Sequence, residues 1–355
     1  MKAIRVLFVS RPNLITQAGG DTLHLQQNRI FLKKLGIESE IWDGQQDLSQ
    51  FNLIHFYGLT RPASIMPLLK SGLPIVVSSI YVDYSAADRK GSKLRAFLQR
   101  LLGQFGLEYL KLLGRALKGR ETFPSWAYLS EGQKGSIRKI LDSCDYLITA
   151  SNAELGQIVK DFPFAGRHSI VQLGTEHLPP LNPVTDKKGV LCVARVEPLK
   201  NQLNLIKAQA DADWKLHLVG DAAPAHQDYL KACKAAAGDR ALFHSARNHE
   251  EISAMYNKAK VHVLPSLYET TGLVSLEALH FGCQIVVNDH SISRELFGDQ
   301  AFYANVEDPK DLRRAIEDAL KSNEDHRLWI RQHYTWSEAA RKISSIYRKV
   351  LKDQA

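Results

Sequence analysis

The 355-residue chain is long enough for two domains, and its 45% hydrophobic and 24% charged content is that of a globular protein, not a disordered or fibrous one. No apolar run approaches the roughly 20 residues that a bilayer-spanning helix requires, and the four cysteines (Cys144, Cys192, Cys233, Cys283) lack the C-x-x-C spacing of a metal or redox site. The net charge of +8 is concentrated: from Arg89 to Arg120 nine basic residues oppose the single acid Glu108, which excludes a uniformly sticky surface and points to an anionic partner at one place.

In chain order, Met1–Ser10 is too short for a signal peptide and has no small-residue cleavage site. It reads as a first buried strand of a cytoplasmic protein. Apolar runs predict further strands over 52–56, 74–79, 145–150 and 168–172, after the first at 3–10. Helical patterns fill 21–35, 63–70, 132–143 and 152–160. Between the first strand and helix, Gln17-Ala18-Gly19-Gly20-Asp21-Thr22 has a glycine pair that lets backbone approach a ligand, although any tight turn would use it too. The dinucleotide pattern G-x-G-x-x-G is absent, against a dehydrogenase. His55 ends a strand and reads as a structural hydrogen-bonder. Ser78–Tyr84 follows another strand and should point to the ligand-facing end of the sheet, with Asp83 its candidate ligand contact.

The basic stretch carries an apolar stripe at helical spacing: Leu94, Phe97, Leu98, Leu101, Leu102, Phe105, Tyr109, Leu112, Leu113 and Ala116. Two readings stand side by side. The stripe packs on the first domain, or Arg95, Arg100, Lys111 and Arg115 meet an anionic membrane surface. Gly103, Gly106 and Gly114 weaken the helix and are placed to split it. Few aromatics suited to stacking accompany the charge, which disfavours single-stranded nucleic acid.

The Pro-rich Leu178–Pro183 reads as a linker, dividing a domain over 1–180 from one over 184–335. The second half restarts with a strand at 189–194, followed by strands at 214–219, 261–265 and 284–288. Arg195 lies just past the first of these and Lys200 near the next helix, so two cations can converge on a diphosphate. Asp211-Ala212-Asp213 has the D-x-D form of a metal-binding motif, but it precedes a strand, at the end away from the ligand-facing loops. It reads as a turn, and no metal is expected.

The most informative stretch is Pro265–Leu279. After a buried strand it places Glu269 in a loop and Glu277 on the helix that follows. Glu277 shares a face with Leu273, Val274 and Phe281, where a carboxylate is costly unless paired. Between the acids, Thr271-Gly272-Leu273 presents backbone N–H groups at a helix N-terminus, where phosphate binds well.

These features resemble the E-x7-E signature of retaining glycosyltransferases of family 4, the glycosyl transferases group 1. The resemblance implies an α/β chain of the GT-B fold: two Rossmann-like domains facing each other across a cleft that holds the substrates. It implies that Arg195 and Lys200 grip the donor diphosphate, that Glu269 contacts the transferred sugar and that Glu277 holds the ribose. Gly272 and Leu273, with Thr271 beside them, would serve the phosphate, and Gly20 would lie beside donor and acceptor. The family often has Lys-Gly where this chain has Lys200-Asn201, which should alter the local turn. It has Gly-Phe where this chain has Thr270-Thr271, which leaves the shape of the sugar pocket open. A family His-Asp pair near Asp83 lacks its histidine here, and the resemblance leaves Asp83 as the candidate acceptor contact. Val219-Gly220-Asp221 resembles a glycine turn of the family and equally a plain turn. The Trp336-Ser337 pair resembles the entry to a final helix that packs back on the first domain over about 336–355.

The implied function is metal-independent transfer of a sugar from a UDP- or GDP-sugar, with no cofactor, to a saccharide or lipid-linked acceptor in surface polysaccharide assembly. The implied location is the cytoplasm or the inner face of its membrane. The alternatives are another GT-B enzyme, either an epimerase or a phosphorylase, the latter needing a free-phosphate or pyridoxal-lysine motif that is not present, and a non-catalytic protein that binds anionic surfaces.

Overall fold

The structure is a computed structural model that describes residues 4–353 apart from 15, 17, 18, 90–92, 120, 180, 181, 183, 246 and 247. Gln17 and Ala18 of the glycine loop, Lys90 and Arg120 of the basic stretch, and Pro180, Leu181 and Pro183 of the linker thus lie outside the described residues. The chain divides into two compact units. One comprises Met1–Ser85, Leu94–Leu173 and Trp336–Ala355, the other Ala86–Lys93 and Gly174–Thr335.

The first stretch of chain runs β1 (Ile4–Val9), α1 (Gly20–Lys34), β2 (Ile37–Ile41), β3 (Leu53–Tyr57), β4 (Ile75–Ser78), α2 (Ser85–Arg89), α3 (Lys93–Leu117), α4 (Trp126–Ser143), β5 (Tyr146–Thr149), α5 (Asn152–Asp161) and β6 (His168–Ile170). The six strands form one parallel sheet in the order β2-β1-β3-β4-β5-β6. Every residue of β3, β4 and β5 is buried, as expected of inner strands covered on both faces. The edge strand β2 was not apparent in the sequence. It pairs only with β1, and Glu38 and Glu40 alternate with Ile37 and Ile41 so that one side faces water.

Two helical expectations need correction. Residues 63–70 form no helix but two short 3₁₀ turns, Pro62–Ser64 and Met66–Leu68, because each begins at or next to a proline that cannot donate to a helical ladder. The long apolar stripe is not one surface either. α3 breaks at Gly103, whose φ is 64°. Beyond the break Leu107 and Leu112 are buried, and Phe105 and Tyr109 pack on the core. Before it Leu94, Phe97 and Leu101 are 68%, 62% and 67% exposed.

The second stretch runs β7 (Val190–Val193), α6 (Gln202–Gln209), β8 (Leu216–Val219), α7 (Gln227–Ala237), β9 (Ala241–His244), α8 (His249–Lys258), β10 (Val261–Leu264), α9 (Leu273–His280), β11 (Gln284–Asn288), α10 (Ser291–Phe297), β12 (Phe302–Ala304), α11 (Pro309–Lys321) and α12 (Arg327–His333). Its parallel sheet has the order β12-β11-β10-β7-β8-β9. The short outer strands β9 and β12 are partly exposed and were again missed. The chain passes between units at Leu173–Gly174, ahead of the Pro-rich stretch. Thr175 already belongs to the second unit, its amide bonding to the Tyr334 carbonyl and its hydroxyl to His280.

The last helix, α13 (Trp336–Asp353), belongs to the first unit and packs on α1. Its buried residues Trp336, Ala339, Ala340, Ile343, Ile346, Tyr347 and Val350 recur at helical spacing. Tyr347 hydrogen-bonds with His55 Nδ1 at 2.6 Å, and His55 Nε2 with the Ser78 hydroxyl at 2.9 Å. Burial holds the His55 pKa well below its ordinary value, so this imidazole is a neutral structural bridge.

Candidate functional site

In the second unit, loops at the carboxyl ends of the parallel strands carry the candidate residues, where open α/β sheets present their ligand-binding groups. The β7 and β8 ladder continues past the strands through Ala194 N–H to Val219 O and Val196 N–H to Asp221 O. At Gly220 any Cβ would lie 2.1 Å from the Ala194 carbonyl oxygen. Val219-Gly220-Asp221 is therefore more than a plain turn: the missing side chain allows the neighbouring loop to emerge with Arg195 on it. Arg195 is about half exposed and pairs with Glu197 at 3.2 Å. Its carbonyl accepts from Gln202 at 2.8 Å, tying the loop to α6.

Lys200 closes a 3₁₀ turn that starts at Pro198, and Asn201 follows with φ 54° and ψ 29°. Asparagine tolerates this left-handed conformation, and the Asn201 side chain is fixed by a 2.8 Å bond to the Val306 carbonyl. The altered turn expected from Lys200-Asn201 is thus not needed. The structure brings Lys200 directly onto Glu269 as an ion pair, both side chains largely buried. The Leu267 amide bonds to the Leu199 carbonyl at 2.9 Å, holding the two loops together.

After Glu269 the chain turns into α9 at Gly272, which has φ 55° and ψ 37°. A Cβ there would press to 3.0 Å from the Phe297 ring, so both backbone and packing call for glycine. Among the described residues, no hydrogen bond is formed by the amides of Gly272 and Leu273. They stand at the helix N-terminus beside Thr271, next to a narrow crevice walled by Tyr268, Glu269, Asn288, His290 and Phe297.

Glu277 lies one turn further along α9 and is only 5% exposed. Two long contacts from within the chain reach its carboxylate. His177 Nε2 lies 3.3 Å from Oε1, and the Tyr256 hydroxyl donates to Oε2 at 3.4 Å. Burial, with Glu277 beside it, raises the Tyr256 pKa well above its ordinary value, so the phenol keeps its proton and remains a donor. His177 in turn meets the His249 ring edge-on, centroids 5.9 Å apart. None of these three was singled out from the sequence. His177 precedes Glu277 by 100 residues, and no spacing rule links them. Asp211-Ala212-Asp213 sits in the turn between α6 and β8, both acids exposed, at the opposite end of the strand from Gly220.

The candidates in the first unit are placed differently. Gly20 opens α1, and nothing lies within 4 Å of where its Cβ would be. Its neighbour Asp21 is bound by Arg11 through two bonds of 2.5 and 3.0 Å. Asp83 accepts from the Ser85 amide at 2.8 Å and so starts α2. The intervening loop is shaped by Glu154, buried on α5. It accepts from the Ser79 hydroxyl (2.6 Å) and from the Tyr81 and Ala150 amides (both 2.8 Å). Ile80, held between the first two contacts, has φ +40°, a strained value for a β-branched residue. Among the basic residues, Lys111 pairs with Glu108 at 2.7 Å and Arg115 with Glu121 at 2.8 Å. Arg100 is exposed and Arg95 half-buried on the part of α3 that also exposes Leu94, Phe97 and Leu101. None of the helices among the described residues is long and apolar enough to cross a membrane.

The family model of the glycosyl transferases group 1 matches residues 175–336. The serotype-specific mannosyltransferase WbdA of Escherichia coli is 25% identical over 166 residues, 42% of this chain and 20% of that protein. An MMP alpha-(1->4)-mannosyltransferase of Mycolicibacterium hassiacum is 24% identical over 243 residues, 64% of this chain and 58% of that one. The chain thus spans about a fifth of WbdA and little over half of the second relative. Among solved structures, sucrose-phosphate synthase from Thermosynechococcus elongatus superposes with a TM-score of 0.74 at 15% identity, over 99% of this chain and 100% of that one. HepE of Anabaena in complex with UDP and glucose gives 0.66 at 16% identity, over 97% and 99%. The fold is that of the GT-B glycosyltransferases.

Proposed function

We propose that this chain, whose residues 175–336 belong to the glycosyl transferases group 1 family, moves a hexosyl group from a nucleoside diphosphate sugar to an acceptor hydroxyl with retention of configuration. The observation that carries this reading is the Lys200–Glu269 ion pair beside the N-terminus of α9, which has no side-chain cap. One cation, one acid and two unengaged amides stand where a diphosphate and its sugar need opposite partners. Lys200 and Arg195 would neutralise the diphosphate, with the Gly272 and Leu273 amides on a phosphate oxygen. Glu269 would accept from sugar hydroxyls. Glu277, its two oxygens oriented by His177 and Tyr256, would hold the ribose.

In the reaction, the bond from the anomeric carbon to the phosphate oxygen breaks as a bond to the acceptor oxygen forms on the same face. The acceptor proton passes to the departing phosphate, and the cations stabilise the charge it gains. No metal ion is needed for that charge. The two mannosyltransferase relatives make mannose the first sugar to test. The acceptor is read as a lipid-linked saccharide or glycolipid in polysaccharide assembly. The surface favouring this is the first part of α3, where Leu94, Phe97 and Leu101 form an exposed row near Arg95 and Arg100. Such a row suits shallow insertion at an anionic membrane face.

The test is incubation with UDP- and GDP-linked sugars, scoring slow donor hydrolysis and protection from thermal unfolding. One donor, GDP-mannose first, should raise the melting temperature and be hydrolysed in the presence of EDTA. No stabilisation by any nucleotide sugar, or a strict need for magnesium or manganese, would overturn the reading.

A further inference from the structure

We propose that His177, His249 and Glu277 form a binding site for a divalent transition-metal ion of the zinc class, and that an ion seated there displaces the donor nucleotide. The second half of this proposal rests on the reading of Glu277 as the ribose carboxylate, whereas the first does not.

The three side chains come from separate elements: the segment after Gly174, the first turn of α8 and the middle of α9. One ligating atom from each lies within 4.8 Å of the others. His177 Nε2 and Glu277 Oε1 are 3.3 Å apart. In a tetrahedral site with bonds of roughly 2.0–2.1 Å, neighbouring ligand atoms stand about 3.3 Å apart, so this pair already has the spacing of two zinc ligands. The third lies within 4.8 Å of both and so needs to move in by at most about 1.5 Å to reach that spacing. His249 is exposed and begins its helix, so its side chain is free to swing.

The Glu277 carboxylate also lacks strong partners. A buried carboxylate normally gathers charge-assisted bonds of about 2.7–2.9 Å. Glu277 has two contacts, at 3.3 and 3.4 Å. A cation between the two imidazoles would complete it, with Tyr256 orienting the second oxygen as an outer-shell partner. Two imidazoles and one carboxylate suit zinc, cobalt or nickel. Magnesium and calcium prefer all-oxygen sets and should not enter. The vacant fourth position would hold water. An ion bound this way occupies the carboxylate that the ribose requires, so the site would be inhibitory and not part of the transfer chemistry.

The experiment uses the full chain, freed of metal by chelation. Calorimetric titration with zinc chloride should give one ion per chain, and cobalt(II) should show the intense visible bands of a tetrahedral complex. His249→Ala should weaken zinc binding at least about 100-fold, since even outer-shell substitutions cost 10–100-fold. It should keep its melting temperature, because the side chain is exposed. UDP and GDP affinity is then measured with and without zinc in both proteins. Zinc should weaken nucleotide binding in the parent chain but not in His249→Ala. Chelation of zinc by the diphosphate itself would act on both alike. Equal zinc affinity in the two proteins, or equal binding of magnesium, would overturn the site. Zinc binding that His249→Ala abolishes but that leaves nucleotide affinity untouched would keep the site and refute the ribose role of Glu277.

Discussion

The two units use the same kind of parallel sheet and spend their polar residues differently. In the first, the polar groups at strand ends are bound up in shaping the chain. His55 bridges Tyr347 and Ser78, Glu154 holds the strained Ile80 segment, Asp83 starts a helix, and Asp21 is gripped by Arg11. In the second, charged groups stand in a loop cluster with partners they can exchange. Lys200 meets Glu269, Arg195 is half exposed, and Glu277 is held by two long contacts. A sheet of this kind needs its loops positioned, and that requires satisfied buried bonds. It also needs groups ready to pair with a ligand, and those must not be fully engaged already.

Replacing polar groups in each unit sharpens this contrast. The largest effect is expected from Glu154→Ala, which leaves two buried amides and a hydroxyl without an acceptor. Each orphaned group costs about 1–3 kcal/mol, so urea unfolding should show a loss of at least about 3 kcal/mol. Nucleotide affinity should stay within about twofold once the variant is folded, being set by the other unit. A large loss of affinity would break the division of labour.

Lys200→Ala and Arg195→Ala should do the reverse. Each should lower UDP or GDP affinity by about 1.5–3 kcal/mol in calorimetry, roughly tenfold to a hundredfold, with a small change in unfolding. Unchanged affinity in both would mean that the loop cluster is not the diphosphate site.

The two glutamates separate more finely. Glu269 competes with phosphate for Lys200, so Glu269→Gln should hold or modestly tighten nucleoside diphosphate binding while slowing sugar transfer. Glu277→Gln should weaken the bare nucleotide. The opposite ordering would exchange their roles.

The smallest effects concern α3. Neutralising Arg95 and Arg100 should reduce sedimentation with anionic vesicles by about 1 kcal/mol per residue at most, and salt should mimic it. Neutralising Lys111 and Arg115, each already paired with a carboxylate, should change it less. Equal binding to neutral vesicles would assign the row at Leu94, Phe97 and Leu101 to something other than an anionic surface.

The central strands could be read from the sequence because burial on both faces requires unbroken apolar runs, as in Leu53–Tyr57 and Val261–Leu264. The edges could not. In β2 the period of two mixes Glu with Ile, and β12 has only three residues. Within the loop cluster, Glu269, Gly272 and Glu277 were legible together because helix and turn chemistry fixes residues close in sequence, whereas Lys200 was legible only as a cation at a strand-to-helix turn, its pairing with Glu269 69 residues later being a matter of tertiary packing. His177, His249 and Tyr256 reach Glu277 or its neighbour only through tertiary packing. The split in α3 was signalled by Gly103, but which half stays exposed depends on the core it meets, and periodicity carries no information about that.

The return of α13 to the first unit has a consequence for the order of events during synthesis. The second unit is nearly contiguous, Gly174–Thr335, apart from a short segment at Ala86–Lys93. The first unit lacks Trp336 and Tyr347, both fully buried, until the ribosome has passed them. A nascent chain therefore carries an unfinished first half, with α1 uncovered and His55 missing a partner, while its later half is already able to fold. Domains usually mature from the N-terminus onward; here the half made first is the half completed last, and its uncovered surface is the one a chaperone would meet.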